Sequence, residues 1–417
     1  MCSKNFMKAS ARKNSERSVL QKISFAAAYC RGNLKIMRTI YLDHAATTPL
    51  SAEALQAMMP YLTTSYGNAD SRYALGRSAA SAVLSARDEV RSVIGAGGNV
   101  YFTSCGSEAN SWALKGVCAA NFGKKNTIVL SAIEHPSLLR AAEDMAVFGF
   151  ETVLVNPDSS GIVRPQFIQK AIEGRQVAFV GVMRANNETG VIQQAEEIHK
   201  VCKDAGVFYF CDCVQAAGAM PFSADLAEGI SISAHKFYGP KGVGALWLKK
   251  GARIQRLVSG GQQESGLRGG TSNVAGIVGM GCALKATCRD MAANNQKIAA
   301  ARNAFVKKVL GGVSGAFLVG DDKNRLPSNA NIAFPSCRGE QIMIKLDMRG
   351  VAVSTGSACS SGASKPSKVL LAMGLEESVA ASCVRFSFGA ENTEEEALFA
   401  AEEVISAARE VAAEGRI

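Results

Sequence analysis

Seven short and almost continuously apolar runs, separated by helical patterns, restrict the fold of this sequence more than any other feature. The runs are rich in β-branched and aromatic residues and occur at 100–104, 127–133, 151–155, 177–183, 207–213, 229–233 and 242–248. A strand with one solvent-facing side would alternate polar and apolar residues, so continuous runs indicate strands covered by helices on both faces. The sequence therefore predicts an α/β fold with a seven-stranded, mostly parallel sheet.

The helical segments carry recognisable start and stop signals. A helix is expected over 107–123, with Ser107 as its N-cap, and one or two long helices over 272–312. A capping box at 393–396 begins the last helix. His199 lies among charged residues of another helical segment, and we expect it to be solvated on the surface.

The charge of the chain is concentrated at its start. The formal net charge is +10, but residues 1–36 carry eight basic residues and the single acid Glu16, which leaves the body of the chain near neutral. That balance disfavours a nucleic-acid partner. Residues 1–37 are typical of a transit peptide or of an untranslated leader, and we expect them to be disordered or not part of the fold.

Composition excludes several other classes of protein. No apolar run approaches the roughly 18 residues that cross a bilayer, so no membrane association is expected. The twelve cysteines are too sparse for a disulfide scaffold and lack structural-zinc spacing. We expect reduced thiols in a cytosol-like compartment.

Two strand ends carry residues suited to an aldehyde cofactor. Lys236, in SAHKFYGPKG, follows one strand, where partial burial would lower its pKa and free the amine for a Schiff base. Asp212, in DCVQ, follows another, where its carboxylate suits a protonated pyridine nitrogen. A solvated loop lysine and a helix-capping aspartate are the simpler alternatives.

Three further strand ends complete a set. In SCGSEAN, the backbone N–H groups of Gly106 and Ser107 and the helix dipole can hold a phosphate. His135 precedes a helix that starts at Pro136, where an imidazole can face a bound ring and move protons. The amides of RANNETG, at 184–190, suit hydrogen bonds to a ring substituent or a substrate.

Together these residues resemble the cysteine desulfurases, a group of class V aminotransferases within the fold-type I pyridoxal-phosphate enzymes. The resemblance runs from about Tyr41 to the last helix. Its most specific segments are YLDHAATTP (41–49), SAHKFYGPKG (233–242), GGQQESGLRGGT (260–271) and STGSACSSG (354–362).

The last of these segments holds Cys359 and distinguishes desulfurases from their transaminating relatives. Its small residues predict a mobile loop, about 354–368, that can carry a thiol to a substrate and then to an acceptor. Lys365 and Lys368 would lower the pKa of the thiol modestly.

The resemblance implies a role for each position. Lys236 would hold pyridoxal 5'-phosphate as a Schiff base, His135 would stack on its ring as acid and base, and Cys359 would be the nucleophile. Arg385 and Asn187 would bind the substrate carboxylate. The remaining cofactor contacts would come from Asp212 at the ring nitrogen, Gln215 at the phenolic oxygen, Asn187, the phosphate-binding Gly106, Ser107, Ser233 and His235, and Thr271 of the partner subunit.

The implied reaction converts L-cysteine to L-alanine and leaves its sulfur as a persulfide on Cys359. An iron–sulfur scaffold or another acceptor protein would take the sulfur for cluster assembly or tRNA thiolation. No resident metal is implied, although the persulfide can transiently contact a nascent cluster. The protein would be a cytoplasmic homodimer that binds neither nucleic acid nor membrane, or a mitochondrial or other organellar one if 1–37 is a transit peptide.

The resemblance also implies two domains. Residues 51–290 would form a large cofactor-binding domain, and 38–50 with 291–417 a small domain that carries the cysteine loop.

Other functions stay open at this point. A selenocysteine lyase or another class V enzyme would share the fold, although a transaminase has no use for a loop cysteine. A non-catalytic sulfur-relay scaffold is disfavoured by the complete lysine, aspartate, histidine and cysteine set, and a nucleic-acid-binding protein that uses the basic leader is disfavoured by the near-neutral body of the chain.

Overall fold

The computed structural model describes residues 39–356 and 366–414; the leader, Cys359 and Lys365 lie outside them. Its strands are β1 (Ile40–Tyr41), β2 (Gly98–Thr103), β3 (Thr127–Ser131), β4 (Glu151–Val155), β5 (Val177–Gly181), β6 (Tyr209–Asp212), β7 (Gly229–Ser233), β8 (Gly244–Lys249), β9 (Phe317–Leu318), β10 (Asn329–Ala333), β11 (Val351–Ala352) and β12 (Cys383–Ser387). Its α-helices are α1 (Ala52–Thr63), α2 (Ala74–Ile94), α3 (Gly106–Ala120), α4 (Pro136–Met145), α5 (Pro165–Ile172), α6 (Ala195–Asp204), α7 (Val274–Gly312), α8 (Gly339–Asp347), α9 (Lys368–Ala372), α10 (Glu377–Ala381) and α11 (Glu394–Glu414).

The main sheet has seven strands in the order β2-β8-β7-β6-β5-β3-β4. Strands β7, β6, β5, β3 and β4 run parallel to their neighbours in this series, whereas β8 is antiparallel to both β7 and β2. Each of the seven predicted runs overlaps with one of these strands. The predicted α/β fold with a mostly parallel sheet is confirmed.

Helices cover both faces of this sheet, as continuous apolar strands require. Along β3, Ile128 and Leu130 join a core cluster with residues of α3 and α4, whereas Val129 joins a second cluster with residues of α2, α5, α6 and α7. Alternate residues of one strand thus enter different cores. Burying each such side chain contributes about 1.5–3 kcal/mol, so both layers stabilise the sheet edge that carries the site.

Helix α7 is a single helix of 39 residues and spans about 58 Å. It packs against α1, α2 and α11. The helix passes without a break through residues 290 and 291, where the sequence predicts the boundary between the large and the small domain, and that division stays a prediction. None of the helices in the described ranges has the length and hydropathy of a membrane-spanning segment.

A small antiparallel sheet, in the order β12-β10-β9, lies in the C-terminal part of the chain. The residues that follow β1 bond to this part: Leu42 N–H donates to Ala352 O at 2.8 Å, and His44 N–H to Ser387 O at 3.2 Å. These bonds fix the start of the motif that runs on to Pro49 beside residues from the last third of the chain.

His199 is buried rather than solvated, so the prediction for this residue is wrong. One ring nitrogen bonds to Asp225 O at 2.5 Å and the other to the Glu228 carboxylate at 2.9 Å. The hydrogen bond to Glu228 is the main cause of its raised pKa. Both partners lie more than 25 residues downstream, beyond the reach of a helical pattern.

The N-cap of α3 also differs from the expectation. The helix begins at Gly106, and the Cys105 thiol, not Ser107, accepts the hydrogen bond from Glu108 N–H at 3.4 Å. Ser107 is exposed in the first turn, which leaves its hydroxyl on the solvent side of that helix end.

Candidate active site at the carboxyl ends of the sheet

Lys236 lies in a single 3-10 turn directly after β7. Its Nζ donates to the backbone oxygens of Ala45 and Ala46, both at 2.7 Å. Thr48 adds two bonds to His235 O, from its backbone N–H at 2.9 Å and its hydroxyl at 3.1 Å. Two of the most specific sequence motifs, 190 residues apart, therefore meet at this lysine.

The turn after Lys236 has an unusual backbone. Tyr238 has φ = +63°, in the left-handed region that costs an L-residue about 1–2 kcal/mol. Four contacts hold it there: its N–H donates to Thr48 Oγ1 at 2.8 Å, its carbonyl oxygen accepts from Ser51 N–H at 2.9 Å, its phenol oxygen accepts from Ala390 N–H at 2.9 Å, and its hydroxyl donates to Glu391 at 3.2 Å. Tertiary bonds thus fix the direction in which the chain leaves the lysine.

Asp212 is the last residue of β6 and is buried. Its Oδ2 accepts from the Asn110 amide at 2.6 Å, and its Oδ1 from Val214 N–H at 2.9 Å. Ser231, on the neighbouring strand, donates to the Asn110 carbonyl oxygen at 2.5 Å. Sequence reasoning missed Asn110, whose only signal is an amide within an otherwise apolar face of α3.

His135 is the N-cap of α4, and Ser137 holds its ring. Nδ1 accepts from Ser137 N–H at 3.2 Å and lies 2.8 Å from the Ser137 hydroxyl, which itself accepts from Asn110 at 2.9 Å. Burial lowers the pKa of His135, Lys236 adds to that effect, and Asp212 opposes it. The lowered pKa favours the neutral ring, and because Nδ1 accepts from Ser137 N–H, that form carries its proton on Nε2.

The N-terminus of α3 forms a cradle. The buried Ser233 hydroxyl has no hydrogen-bond partner in the described part of the chain. A Cβ on Gly106 would lie 2.8 Å from Val214 Cγ2 and 3.2 Å from Ser233 Cβ, so only glycine fits there. An unpartnered hydroxyl beside the first N–H groups of a helix suits a phosphate.

His235 and Thr271 are two further residues that the sequence assigns to the phosphate. His235 Nδ1 is 3.2 Å from Thr47 Oγ1, and burial, with Lys236 and Lys241 nearby, lowers the pKa of His235 to about 4. Thr271 is exposed and lines a hollow with Ser104. The contribution of Thr271 to the site of a partner subunit stays a prediction.

Gln215 contacts the same backbone oxygen as the lysine: its amide donates to Ala45 O at 3.0 Å. Residues 43–46 therefore approach both Gln215 and Lys236.

Arg385, on β12, is buried and bonds to two other predicted site regions. It donates to Asn187 O at 3.0 Å and to the Asp43 carboxylate at 2.7 Å. Its Nε has no partner among the described residues. Asn187 is half-buried and meets Arg385 through its main chain, whereas the sequence suggested its side-chain amide. Asp43 is a further member of the site that the sequence analysis missed.

Two buried carboxylates next to predicted residues were also missed. Glu134 accepts from the Ser131 hydroxyl and from Met183 N–H at 2.8 Å, and burial raises its pKa to about 8. Glu188 accepts from the Ser367 hydroxyl at 2.5 Å, and burial raises its pKa to about 7. Acidic side chains usually lie on surfaces, so their only signal is their place beside His135 and Asn187.

Known proteins share this sequence and fold. The chain matches the Aminotransferase class-V family over residues 40–398. It is 40% identical over 362 residues to "Cysteine desulfurase IscS" of Dictyoglomus turgidum, covering 86% of this chain and 92% of that one. It is 38% identical over 366 residues to "Cysteine desulfurase NifS" of Azotobacter vinelandii, covering 86% and 90%. A solved structure titled "NIFS-LIKE PROTEIN" superimposes with a TM-score of 0.83 at 32% identity, covering 88% of this chain and 98% of that one.

The chain belongs to the class-V aminotransferase family, in its cysteine desulfurase branch. Members of this family depend on pyridoxal 5'-phosphate, which is therefore the cofactor of this desulfurase. Its described residues fit that molecule. The unpartnered Ser233 hydroxyl and the Gly106 cradle suit the phosphate, the buried Asp212 suits a pyridinium nitrogen, and Lys236 is an amine at the end of the neighbouring strand. In the described ranges no three or more His, Cys, Asp or Glu side chains form a group that could hold a metal ion.

Proposed function

We propose that this protein converts L-cysteine to L-alanine and stores the released sulfur as a persulfide on Cys359. The observation that carries the proposal is that Lys236 and Arg385 both bond to one short stretch, 43–46, while Asp212 ends the strand that pairs with the one leading to Lys236. Cys359 itself lies outside the described residues. Its role is supported by the STGSACSSG motif and by the desulfurase names of the relatives.

The contacts of these residues support their binding roles. The Ser233 hydroxyl and the N–H groups at Gly106 and Ser107 would hold the phosphate, together with His235, and Asp212 would pair with the ring nitrogen. The Gln215 amide, which donates to Ala45 O in this structure, would hydrogen-bond to the phenolic oxygen of the ring. Arg385 binds the substrate carboxylate through its planar fork, with Asn187 beside it.

The cofactor, when bound, supplies an electron sink conjugated with the substrate Cα. Lys236 Nζ takes the Cα proton and later returns one, while His135, whose ring Ser137 orients, moves protons at the face of the ring by cycling between imidazole and imidazolium. The Cys359 thiolate attacks the substrate sulfur. An S–S bond forms as the Cβ–S bond breaks, the electron pair passes to Cβ, and protonation of Cβ and Cα yields alanine.

The acceptor would be an iron–sulfur scaffold or another sulfur-accepting protein, whose thiol takes the terminal sulfur and restores the Cys359 thiol. We also propose a homodimer, with Thr271 of the partner subunit contacting the phosphate, and a cytoplasmic location. The free thiols of all nine cysteines in the described ranges support a reducing compartment.

Two variants with matched controls test the proposal. Lys236→Ala should lose the visible absorbance of the tethered cofactor and reduce sulfide release by about a thousandfold or more. Cys359→Ala should keep that absorbance and lose sulfide release to the same extent. Lys241→Ala, in the same motif, and Cys288→Ala should behave like the wild type.

Sulfide release by Cys359→Ala at the wild-type rate would sink the persulfide role. Faster turnover of L-selenocysteine than of L-cysteine by the wild type would indicate a selenocysteine lyase instead.

A further inference from the structure

One buried carboxylate touches both ends of the segment that contains Cys359. Glu188 Oε2 accepts from the Ser367 hydroxyl at 2.5 Å. A Cβ placed on Gly356 would lie 2.3 Å from the same oxygen and 3.1 Å from Ser367 Cβ. Gly356 directly precedes the segment 357–365, and Pro366 and Ser367 directly follow it. They therefore meet at Glu188.

We propose that Glu188 is a positioning residue that ties together the two ends of the cysteine-bearing segment and thereby sets how Cys359 is presented to the substrate. The proposal deepens the desulfurase function and rests on it. No role in binding the cofactor or the substrate is assigned to Glu188, whose effect passes through Gly356 and Ser367.

Glu188 is itself held firmly, as an anchor must be. Its N–H donates to Asn186 Oδ1 at 2.9 Å, and its carbonyl oxygen accepts from the Asn331 amide, on β10, at 3.2 Å. The side chain is almost fully buried. Its backbone is therefore fixed both within its own turn and to β10, and the burial of the side chain restricts the space into which the carboxylate could move.

The Ser367 end is joined to regular structure as well. The same hydroxyl that donates to Glu188 accepts from Leu370 N–H at 3.2 Å and caps α9. Loss of the carboxylate would leave this capping hydroxyl without its acceptor, in a residue that is buried. One hydrogen bond thus connects the start of α9 to the 186–190 turn.

Of the two residues that Glu188 contacts, Gly356 is nearer to Cys359 along the chain. Cys359 follows Gly356 by three residues, so its Cα lies no more than about 11 Å from that of Gly356, whereas the eight residues to Ser367 allow about 29 Å. A shift at Gly356 is consequently passed to the thiol through very few bonds. A misplacement of about 1 Å at a reacting centre can cost about a hundredfold in rate.

The role of Glu188 depends on an accepting oxygen rather than on charge. Arg385 is the cation that faces the carboxylate, and its guanidinium already pairs with Asp43. Glutamine keeps an oxygen that can accept from Ser367, while alanine removes it. A purely electrostatic role would make glutamine and alanine equally damaging.

The experiment measures persulfide formation in a single turnover of the holoenzyme with L-cysteine, by alkylation and mass spectrometry. We expect Glu188→Ala to slow it about a hundredfold and Glu188→Gln to stay within about threefold of the wild type. Binding of L-alanine, followed by the change in cofactor absorbance, needs Lys236 and Arg385 but no thiol, and should be unchanged in both variants.

Gly356→Ala tests the same contact from the other side. The new methyl must displace the carboxylate, so the rate should fall although the carboxylate is still present. Gly97→Ala is the matched control, since a Cβ there meets nothing within 4 Å. Ser367→Ala should also slow persulfide formation. The double variant should be only slightly slower than Glu188→Ala, because both substitutions remove the same Ser367–Glu188 hydrogen bond.

Three results would overturn the inference: wild-type persulfide formation in Glu188→Ala, equal losses in the glutamine and alanine variants, or loss of L-alanine binding together with the rate. If Glu188→Ala does not fold, Gly356→Ala decides, and a rate equal to that of Gly97→Ala overturns the proposal. The proposed persulfide role of Cys359 fails separately, if Cys359→Ala releases sulfide from L-cysteine at the wild-type rate.

Discussion

Asp212 and His135, at the cofactor end of the site, bond to side chains that are themselves fixed by other side chains. Lys236 and Arg385, which are proposed to hold the cofactor aldehyde and the substrate carboxylate, instead bond to residues 43–46 through two carbonyl oxygens and one carboxylate. The first arrangement is preorganised and needs no rearrangement when a ligand arrives. In the second, a ligand would have to replace hydrogen bonds that Lys236 and Arg385 make with residues 43–46. The affinity for the ligand would therefore be the difference between the bonds gained and the bonds lost.

Asp212→Asn should reduce activity more than the other substitutions discussed below, because it removes the charge from the preorganised part of the site. An amide keeps the size of the side chain and can still accept from Asn110, but it carries no charge for a pyridinium partner. We expect kcat to fall by about 10²–10³-fold, while the cofactor stays attached to Lys236 and its visible absorbance persists.

Steady-state kinetics of Asp212→Asn should be compared with those of Asp144→Asn, which neutralises an exposed carboxylate paired with Lys115. An unchanged kcat in Asp212→Asn would show that this carboxylate does not assist the chemistry.

Arg385→Lys should weaken the binding of L-cysteine. A lysine presents one ammonium group and cannot span Asp43 and Asn187 O while also binding a carboxylate in two places. KM for L-cysteine should rise by about 10- to 100-fold with a much smaller change in kcat. A fall in kcat at constant KM would contradict the assignment of Arg385 to substrate binding.

Glu134→Gln should change how the stability of the protein depends on pH. Burial raises the pKa of Glu134 to about 8 in the folded state. The unfolded chain therefore loses this proton first, and the free energy of unfolding falls as the pH rises from about 4.5 to about 8.

In Glu134→Gln this part of the decline, on the order of a few kcal/mol, should disappear. Thermal unfolding at pH 5.5 and pH 8 measures it. A wild-type difference between the two midpoints in the variant would show that Glu134 is ionised in the folded protein.

Thr393→Ala should have the smallest effect and touches neither end of the site. Thr393 Oγ1 accepts from Glu396 N–H at 3.1 Å, and the Glu396 carboxylate accepts from Thr393 N–H at 3.4 Å, which confirms the predicted capping box. Its loss should cost about 1 kcal/mol in chemical unfolding, with kcat and KM unchanged. Altered kinetics would mean that α11 influences the site.

Sequence patterns predict this fold well because its signals are local. The seven strands appear as continuous apolar runs, and the long helix over 272–312 and the capping box at 393–396 rest on neighbours within one or two turns. The N-cap of α3 was misassigned, since the serine rule does not foresee that a thiol one residue before Gly106 accepts the bond.

Much of the site depends on contacts that no local pattern contains. Asp43 and Arg385 are 342 residues apart, and Asn110 and Asp212 are 102 apart. The strand ends that bear Lys236, Asp212 and His135 were predictable because parallel strands bring their carboxyl ends to one edge. Partners such as Asp43 and Asn110 depend on how distant elements pack against that edge.

The turn at Tyr238 has an unfavourable backbone conformation, and hydrogen bonds to segments far apart in the sequence stabilise it. Its four hydrogen-bond partners lie at residues 48, 51, 390 and 391, so the turn cannot open alone. Opening would also break bonds to one segment from the first part of the chain and to one from the last. In an amide hydrogen-exchange experiment, the Tyr238 N–H should therefore be among the slowest to exchange, although it lies in a segment with no regular helix or strand.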